Sequence, residues 1–444
     1  TPNISVLTPD RLEWEMIQWF FGLKPRLNEI FRPGGTLFYG WILVLACTAI
    51  QWLSAVTWMH SYGAYTVLLQ AEFGWSMTVL SLAFALTRLE SGLLGPIQGW
   101  LVDRFGPRKI LTVGLIIFAI GFFLFSQVNS IPTYFIAFIL IALGSSLGGW
   151  ATLMVPIVHW FDQHRAKAIA WSQLGFSFGG LCVPLMAIGL ETFGWRYMGI
   201  ISGVVILVAG LPLVTLIHHR PSDVGLTIDG VDETAKSEEK NKAQQTVKSF
   251  TWREAIKEPS FWLISAGHSL SLLAVSSMLA HLIPHLTNVL NYSLKEASIV
   301  FSLMTGLQLV GIFLGGYLGD KHDKQRLVVF CMAGHFLGLI AIAYASNFLW
   351  ILAFAVFHGI AWGIRGPLMV ALRADYFGPK SFGTIMGFSS LIVMIGMTLG
   401  PIVCGVLYDY YGNYEAAFSL MAFASLIGGI CFWLCKPPTV TSNP

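Results

Sequence analysis

Three charged side chains lie inside otherwise apolar stretches of the sequence, and these are the residues best placed to do chemistry: Arg88, Glu90 and Arg365. Arg365 follows His358 and Trp362 at i, i+4, i+7 spacing, which puts all three on one face of a helix. A guanidinium is a planar, permanently charged fork that fits a carboxylate. Arg365 therefore predicts a site for a carboxylate, and a structural ion pair or carbonyl contact is the alternative.

Arg88 and Glu90 are two residues apart, so their side chains point about 200° away from each other on a helix. Burial favours the protonated form of a carboxyl group, which makes Glu90 a candidate for binding a proton. Pairing of Glu90 with a polar or basic neighbour is the alternative. With Glu90 ionised, the three charges together leave an excess of positive charge, which favours an anionic ligand over a cationic one.

These charges are informative because the rest of the chain has so few. The 444 residues are 55% hydrophobic and 11% charged, with a mean hydropathy of +0.69. Too few polar residues remain to cover soluble domains, so the chain is predicted to reside in a lipid bilayer. A net charge of +3 is too small to indicate nucleic acid as a partner. The sequence has no phosphate-binding loop, metal-ligand spacing or nucleophile elbow, so we expect no enzyme, no cofactor and no metal.

Apolar segments long enough to cross the hydrocarbon occur twelve times, six on each side of a polar linker at 219–258. The fold class predicted is an all-α membrane protein with two six-helix bundles, at 38–218 and 259–435. Residues 1–37 form a polar leader, in which Thr8-Pro9-Asp10 has the pattern of a helix start and indicates an interfacial helix. Residues 436–444 form a short tail. The segments are 38–69, 76–102, 110–128, 131–160, 166–190, 195–218, 259–290, 294–319, 327–345, 348–372, 382–408 and 414–435.

The basic residues are divided unequally between the two sets of loops. One set, together with the linker, leader and tail, holds all but four of the 26 lysines and arginines, among them Arg104, Arg108 and Arg373. The opposite set holds Arg196 and Lys295. Because basic loops stay in the cytoplasm, both termini are predicted to be cytoplasmic.

The two halves of the chain repeat each other at an offset of 217 residues. Gly99-Trp100-Leu101-Val102-Asp103 matches Gly316-Tyr317-Leu318-Gly319-Asp320, and Trp75-Ser76 matches Tyr292-Ser293. The same offset relates Pro184 to Pro401. A duplicated unit with an even number of helices keeps both halves in the same orientation, with a cleft between them. The repeat therefore predicts a carrier that rocks around a central site.

The run from Gly99 to Lys109, with its weaker copy from Gly316 to Arg326, resembles the cytoplasmic loop signature of the major facilitator superfamily. The resemblance, together with the twelve segments and the repeat, covers residues 38–435. It implies a cytoplasmic latch between the bundles, in which an aspartate meets a helix start and arginines join a charge network. Ordinary positive-inside charge is the alternative explanation of this loop. The expected gate residues are Gly99, Asp103, Arg104, Gly106, Arg108 and Asp320.

Within that superfamily, Tyr39-Gly40-Trp41 and the stretch from Trp160-Phe161 to Gly179 resemble the monocarboxylate transporter and oxalate–formate antiporter families. The match is partial, because Gln163 and His164 stand where the pattern has basic residues. The eighth segment also lacks the arginine of the monocarboxylate pattern and has Thr305 and Gln308 in its middle. The superfamily implies that helices 1, 4, 7 and 10 line the cavity. The expected substrate-binding residues are then Arg365, Trp362, His358, Arg88, Tyr62, Trp58 and His281, and the expected proton-coupling residues are Glu90 and His281.

The sequence thus predicts a secondary active transporter of a small organic anion, resembling monocarboxylate carriers, in the cell membrane. Its expected partners are the anion, protons in the case of symport, and the lipid bilayer, with a monomer as the transport unit. Proton symport and anion exchange both remain open. The alternatives are an exporter of amphipathic compounds that uses Glu90 as its proton site, and a membrane sensor that binds without transporting.

Overall fold

The computed structural model describes residues 37–230, 250–378 and 381–438. The predicted interfacial helix of the leader and the charged run from Asp232 to Lys240 in the linker lie outside these residues. Twelve helices of membrane-crossing length run through the described part of the chain, which confirms the predicted fold class. They are α1 (Tyr39–Phe73), α2 (Met77–Phe105), α3 (Pro107–Phe125), α4 (Ile131–Trp160), α5 (165–193), α6 (195–215), α7 (Pro259–Asn288), α8 (Leu294–Lys321), α9 (Lys324–Ala343), α10 (Phe348–Phe377), α11 (Phe382–Tyr411) and α12 (Glu415–Leu434).

Several of these helices are interrupted. In α1 a π-helical turn, Ala55–Met59, is followed by a turn at residues 60–61 before the helix resumes at Tyr62. Gly194 separates α5 from α6 because its φ of 78° lies in the left-handed region that glycine adopts without strain. Ten helical stretches in the described residues are long and apolar enough to span a membrane, and one of them runs across Gly194.

The helix starts follow local capping rules in both halves of the chain. Ser76 accepts a hydrogen bond from the Val79 amide at the start of α2. Ser293 does the same for Glu296 at the start of α8, and there the Glu296 carboxylate also accepts from the Ser293 amide. The two serines are related by the 217-residue offset, so equivalent helices of the repeat start at equivalent residues, but only α8 has a carboxylate of its own at this position.

Consecutive helices are antiparallel, so the starts of odd-numbered helices lie beside the ends of even-numbered ones. The end of the molecule at which odd-numbered helices start is called the linker end, because the connection between α6 and α7 attaches there. The opposite end is called the far end. The linker is fixed to both halves. The Asp229 carboxylate accepts hydrogen bonds from the amides of Asp162 (3.1 Å) and Gln163 (3.0 Å) before α5, and the Phe250 amide donates to the Phe377 carbonyl (2.9 Å) at the end of α10.

Small residues let α8 and α10 approach closely. A Cβ added to Gly363 would come within 2.7 Å of the Gly311 Cα and would also meet the Gln308 carbonyl oxygen. Such close approach of backbones is a common way to pack helices inside a membrane, where van der Waals contact replaces the hydrophobic driving force. The second half therefore depends on glycine at this contact.

Replacing Gly363 with alanine should destabilise the protein, because α8 and α10 must separate to admit the methyl group. Overpacking of this kind typically costs about 1–3 kcal/mol, which corresponds to a melting temperature several degrees lower. Gly366→Ala is the matched control on the same helix, since a Cβ there meets no atom within 4 Å. A thermal-shift measurement in detergent compares the two variants, and equal melting temperatures would contradict this account of the contact.

Candidate functional site

Arg365 lies in the interior of the second half of the chain. Arg365 is 1% exposed, and the Nε and Nη1 atoms of its guanidinium are buried without a hydrogen-bond partner among the described residues. The side chain is close enough to act electrostatically on His335 and Cys331 of α9, on His268 of α7 and on His358. A buried guanidinium with unused donors is costly, and its donors would be satisfied by an anion.

His358 and Trp362, predicted to share a face with Arg365, are both buried on α10. The His358 Nδ1 atom lies 3.1 Å from the His335 Nδ1 atom, and the His358 ring stacks on Phe354 with centroids 5.2 Å apart. One imidazole must donate and the other accept in this contact, so the pair orders two rings beside Arg365.

Arg373 was expected in a loop, but the structure places it inside α10, where it is 2% exposed. Its guanidinium is fully engaged. It donates to the Met369 carbonyl (2.9 Å), to the Ser389 hydroxyl (2.8 Å) and to the His268 Nδ1 atom (3.0 Å). Arg373 thus holds α7, α10 and α11 together, whereas Arg365, two helical turns away, retains unused donors.

Arg88 and Glu90 lie half-buried in the middle of α2. The Arg88 guanidinium contacts the Met59 sulfur of α1 and stacks over the Phe84 ring, with 5.0 Å between Cζ and the ring centroid. Glu90 remains within electrostatic reach of Arg88 even though the two side chains diverge. The Arg88 guanidinium therefore lies against the π-helical turn of α1.

Tyr62 and Trp58 belong to an aromatic cluster inside the first half. Their rings contact each other with centroids 5.5 Å apart, and both rings contact Phe138 of α4. The Tyr62 hydroxyl donates to the Leu80 carbonyl and lies 3.2 Å from the Tyr134 hydroxyl. The structure does not bring these two residues together with Arg365, which belongs to the other half.

His281 lies where the two halves meet. Its Nε2 atom is 2.9 Å from the Pro401 carbonyl and 3.0 Å from the Ser81 hydroxyl of α2, and its Nδ1 atom is 3.0 Å from the Tyr414 hydroxyl. The Ser81 hydroxyl donates to the Met77 carbonyl, so the arrangement fits a proton on Nε2 and an acceptor lone pair on Nδ1. Both ring nitrogens of His281 are thus engaged.

The contact between halves, which we call the far-end seam, contains a carboxylate that the sequence analysis missed. Asp409, in the last turn of α11, accepts hydrogen bonds from the first two amides of α2, at Met77 (2.9 Å) and Thr78 (2.8 Å). A carboxylate at a helix start satisfies free amides and the helix dipole together. Other hydrogen bonds also cross the seam, among them those from Asn288 Nδ2 to Gln70 Oε1 (2.7 Å) and from the Ser302 hydroxyl to the Gly180 carbonyl (2.9 Å).

The residues expected to form a gate lie at the linker end, where the helices are more open. A Cβ added to Gly99 of α2 or to Gly383 and Gly387 of α11 would meet no atom within 4 Å. Asp103 and Arg108 are exposed, and Arg104 stacks over the Trp100 ring of its own helix. Gly106, with a φ of 82°, forms the turn between α2 and α3. The Asp320 side chain is not among those described.

Comparison with known proteins places this arrangement among membrane carriers. The family model described as Major Facilitator Superfamily matches residues 47–293 and 269–444. The chain is 25% identical to monocarboxylate transporter 10 of Rattus norvegicus over 424 residues, which cover 91% of this chain and 79% of that protein. It is 24% identical to the glycerol-3-phosphate transporter of Bacillus subtilis, over 83% of this chain and 86% of that protein.

Among solved structures, a bacterial homologue of the human lysosomal transporter Spinster, in an inward-facing and occupied conformation, superposes with a TM-score of 0.70. The alignment covers 90% of this chain and 97% of that one at 17% sequence identity. At this identity the likeness concerns the fold, and it agrees with the twelve helices described above.

Proposed function

This chain belongs to the Major Facilitator Superfamily, and from that premise we propose that it carries a small organic anion across the cell membrane by alternating access. The expected substrate class is a monocarboxylate, moved either with a proton or in exchange for another anion. The excess of basic residues at the linker end supports placing that end, and both termini, in the cytoplasm.

Arg365 is the observation that carries this proposal. Two of its nitrogen donors are buried without a partner among the described residues, and its neighbours are histidines, a cysteine and a second arginine. A structural ion pair or carbonyl contact would use those donors, as Arg373 does. A carboxylate oxygen can accept a hydrogen bond from such a donor and offset the charge of the guanidinium. Since Arg365 is 1% exposed, the side chains covering it must shift to admit the anion.

The relatives support an anionic substrate. Their names specify a monocarboxylate in one case and glycerol 3-phosphate in the other, and both of these are anions. The charges in the interior of the helices favour the same class, because Arg88, Arg365 and Arg373 outnumber Glu90.

The far-end seam supports a particular conformation in the transport cycle. With the linker end in the cytoplasm, contacts such as Asp409 to α2 close the outer side, and the spaces beside Gly99 and Gly383 open toward the inside. The chain therefore adopts an inward-facing form. Alternating access then requires the seam to break when the outer side opens.

A counterflow assay in proteoliposomes tests the proposal. Liposomes loaded with unlabelled anion are mixed with radiolabelled pyruvate, lactate, benzoate, oxalate or glycerol 3-phosphate, and protein-free liposomes are the control. We expect counterflow for at least one monocarboxylate. Uptake of a cationic amphiphile such as rhodamine 6G, with no carboxylate counterflow, would instead favour the exporter. Binding of a carboxylate without counterflow would favour the sensor.

A further inference from the structure

The π-helical turn of α1 presents a histidine that no feature of the sequence singled out. The Ala55 carbonyl accepts the His60 amide, and the Ser61 hydroxyl donates to the Val56 carbonyl (2.6 Å), so the backbone groups of this irregular stretch are satisfied. π-Helical turns are rare in proteins, and those that occur are frequently found at functional sites. The satisfied backbone leaves the His60 side chain as the unusual group.

The His60 ring is enclosed by other side chains. The residue is 0% exposed, and both ring nitrogens are buried without a hydrogen-bond partner among the described residues. Its ring lies between Phe176 of α5, with centroids 4.4 Å apart, and Phe301 of α8, with centroids 5.5 Å apart. Buried polar groups in native proteins are normally satisfied, so this imidazole needs an explanation.

The enclosure depends on the far-end seam. Phe176 belongs to the same half as His60, but Phe301 belongs to the other half. The next residue, Ser302, donates across the seam to the Gly180 carbonyl of α5. When the outer side opens, this contact must separate, Phe301 must leave the His60 ring, and water gains access to the two nitrogens.

Arg88 supplies a link to the anion. The Arg88 guanidinium of α2 contacts Met59, the residue before His60, and among the described residues it is the charged group that acts on the His60 ring. Phe176 of α5 and Phe301 of α8 contribute uncharged rings. A neighbouring cation opposes protonation of an imidazole, and an anion paired with that cation removes the opposition. Anion binding near Arg88 and proton binding at His60 therefore assist each other.

We propose that His60 is the proton-coupling residue of a proton–anion symporter, an inference that rests on the proposed function. With the outer side open, a free ring nitrogen of His60 takes a proton from a hydronium ion in the outer water, leaving a water molecule, while the anion approaches Arg88. After the anion departs at the linker end, the Arg88 charge again opposes the protonated ring. Because the ring is enclosed while the seam is closed, the side chains around His60 must move for the proton to pass to water on the inside. His281 is less suited to this role, because both of its nitrogens are already engaged.

The test separates coupling from transport. Proteoliposomes containing wild type or His60→Gln are assayed for counterflow of radiolabelled pyruvate, or of the carboxylate with the strongest counterflow in the panel above. They are then assayed for uphill uptake driven by an alkaline interior, with an internal pH dye reporting proton entry. We expect His60→Gln to keep counterflow. Its pH-driven accumulation of the anion and its proton flux should both be lower than in wild type by about tenfold or more.

His285→Gln is the matched control, because His285 is also buried but its Nε2 atom binds the Ile342 carbonyl. The side-chain amide of glutamine can make the same hydrogen bond. The His285→Gln variant should behave as wild type in both assays. Pyruvate accumulation that is unchanged in His60→Gln overturns the inference, as does wild-type counterflow without any response to a pH gradient, and both results leave the proposed function intact. Loss of counterflow in both His60→Gln and His60→Asn also overturns it, since His60 would then serve binding or folding. Absence of counterflow in wild type defeats the proposed function itself.

Discussion

Replacing Arg365 with methionine should abolish carboxylate transport and yet raise the melting temperature of the protein. Methionine fills a similar volume without charge, so the cost of burying a guanidinium with two unused donors disappears. The transported carboxylate loses its partner at the same time. A hydrogen bond to a charged group is worth about 1.5–3 kcal/mol, so each lost bond lowers affinity by roughly tenfold or more.

The opposite signs of the two effects make the experiment decisive. Thermal-shift measurements give stability, and counterflow of radiolabelled pyruvate gives transport. Pyruvate itself should stabilise wild type and leave Arg365→Met unaffected, because a ligand stabilises only a fold that binds it. A variant that melts at a lower temperature and still transports pyruvate would show that Arg365 has a structural role.

Arg373→Met is the matched control on the same helix. Arg373 satisfies the Met369 carbonyl, the Ser389 hydroxyl and the His268 ring, so its loss leaves buried polar groups unpaired. We expect Arg373→Met to have a lower melting temperature than wild type. We also expect pyruvate to raise the melting temperature of this variant, because Arg365 is still present in its folded molecules. The two arginines therefore differ in the sign of their contribution to stability.

The helices could be predicted from the sequence because a membrane-crossing helix needs about twenty apolar residues, which is a local property. The repeat also followed from local patterns, as Ser76 and Ser293 show by starting α2 and α8 in the same way. Arg88 and Arg365 were found because charge inside an apolar segment is rare, and both lie inside helices. The scarcity of charged residues in apolar segments therefore identified two arginines that lie inside membrane-crossing helices.

Features that depend on exact helix geometry or on distant contacts could not be predicted. The fall in hydropathy near Arg373 predicts a loop there, but α10 continues to Phe377. Regular spacing predicts that Trp58 and Tyr62 share a face, and their rings do contact each other, although Trp58 lies in the π-helical turn and a further turn at residues 60–61 separates it from Tyr62. A regular helical projection of α1 omits this irregular stretch, and it gives no hint that His60 contacts Phe301 of the other half.

Asp409 was hidden for a different reason: 332 residues separate it from Met77, and a single aspartate near a helix end is ordinary in sequence. The clue lies in what α2 lacks. Its start has Val79 where the repeated helix α8 has Glu296, and Glu296 supplies the carboxylate of its own capping box. The free amides of α2 are instead satisfied by Asp409 from the other half, so a local cap in one repeat is replaced by a contact between halves in the other.

Replacing Asp409 with alanine should therefore shift the protein away from the form in which the far-end seam is closed. Two amides and the Thr78 hydroxyl lose their acceptor, and a total of about 2 kcal/mol for this exposed group corresponds to a roughly thirtyfold change in population. Double electron–electron resonance between spin labels at Gln127 and Ser346, exposed at the far end of each half, should show longer distances in Asp409→Ala. Glu296→Gln is the control, since Glu296 caps a helix within one half and should leave the distances unchanged. Identical distance distributions for Asp409→Ala and wild type would mean that the carboxylate does not hold the seam closed.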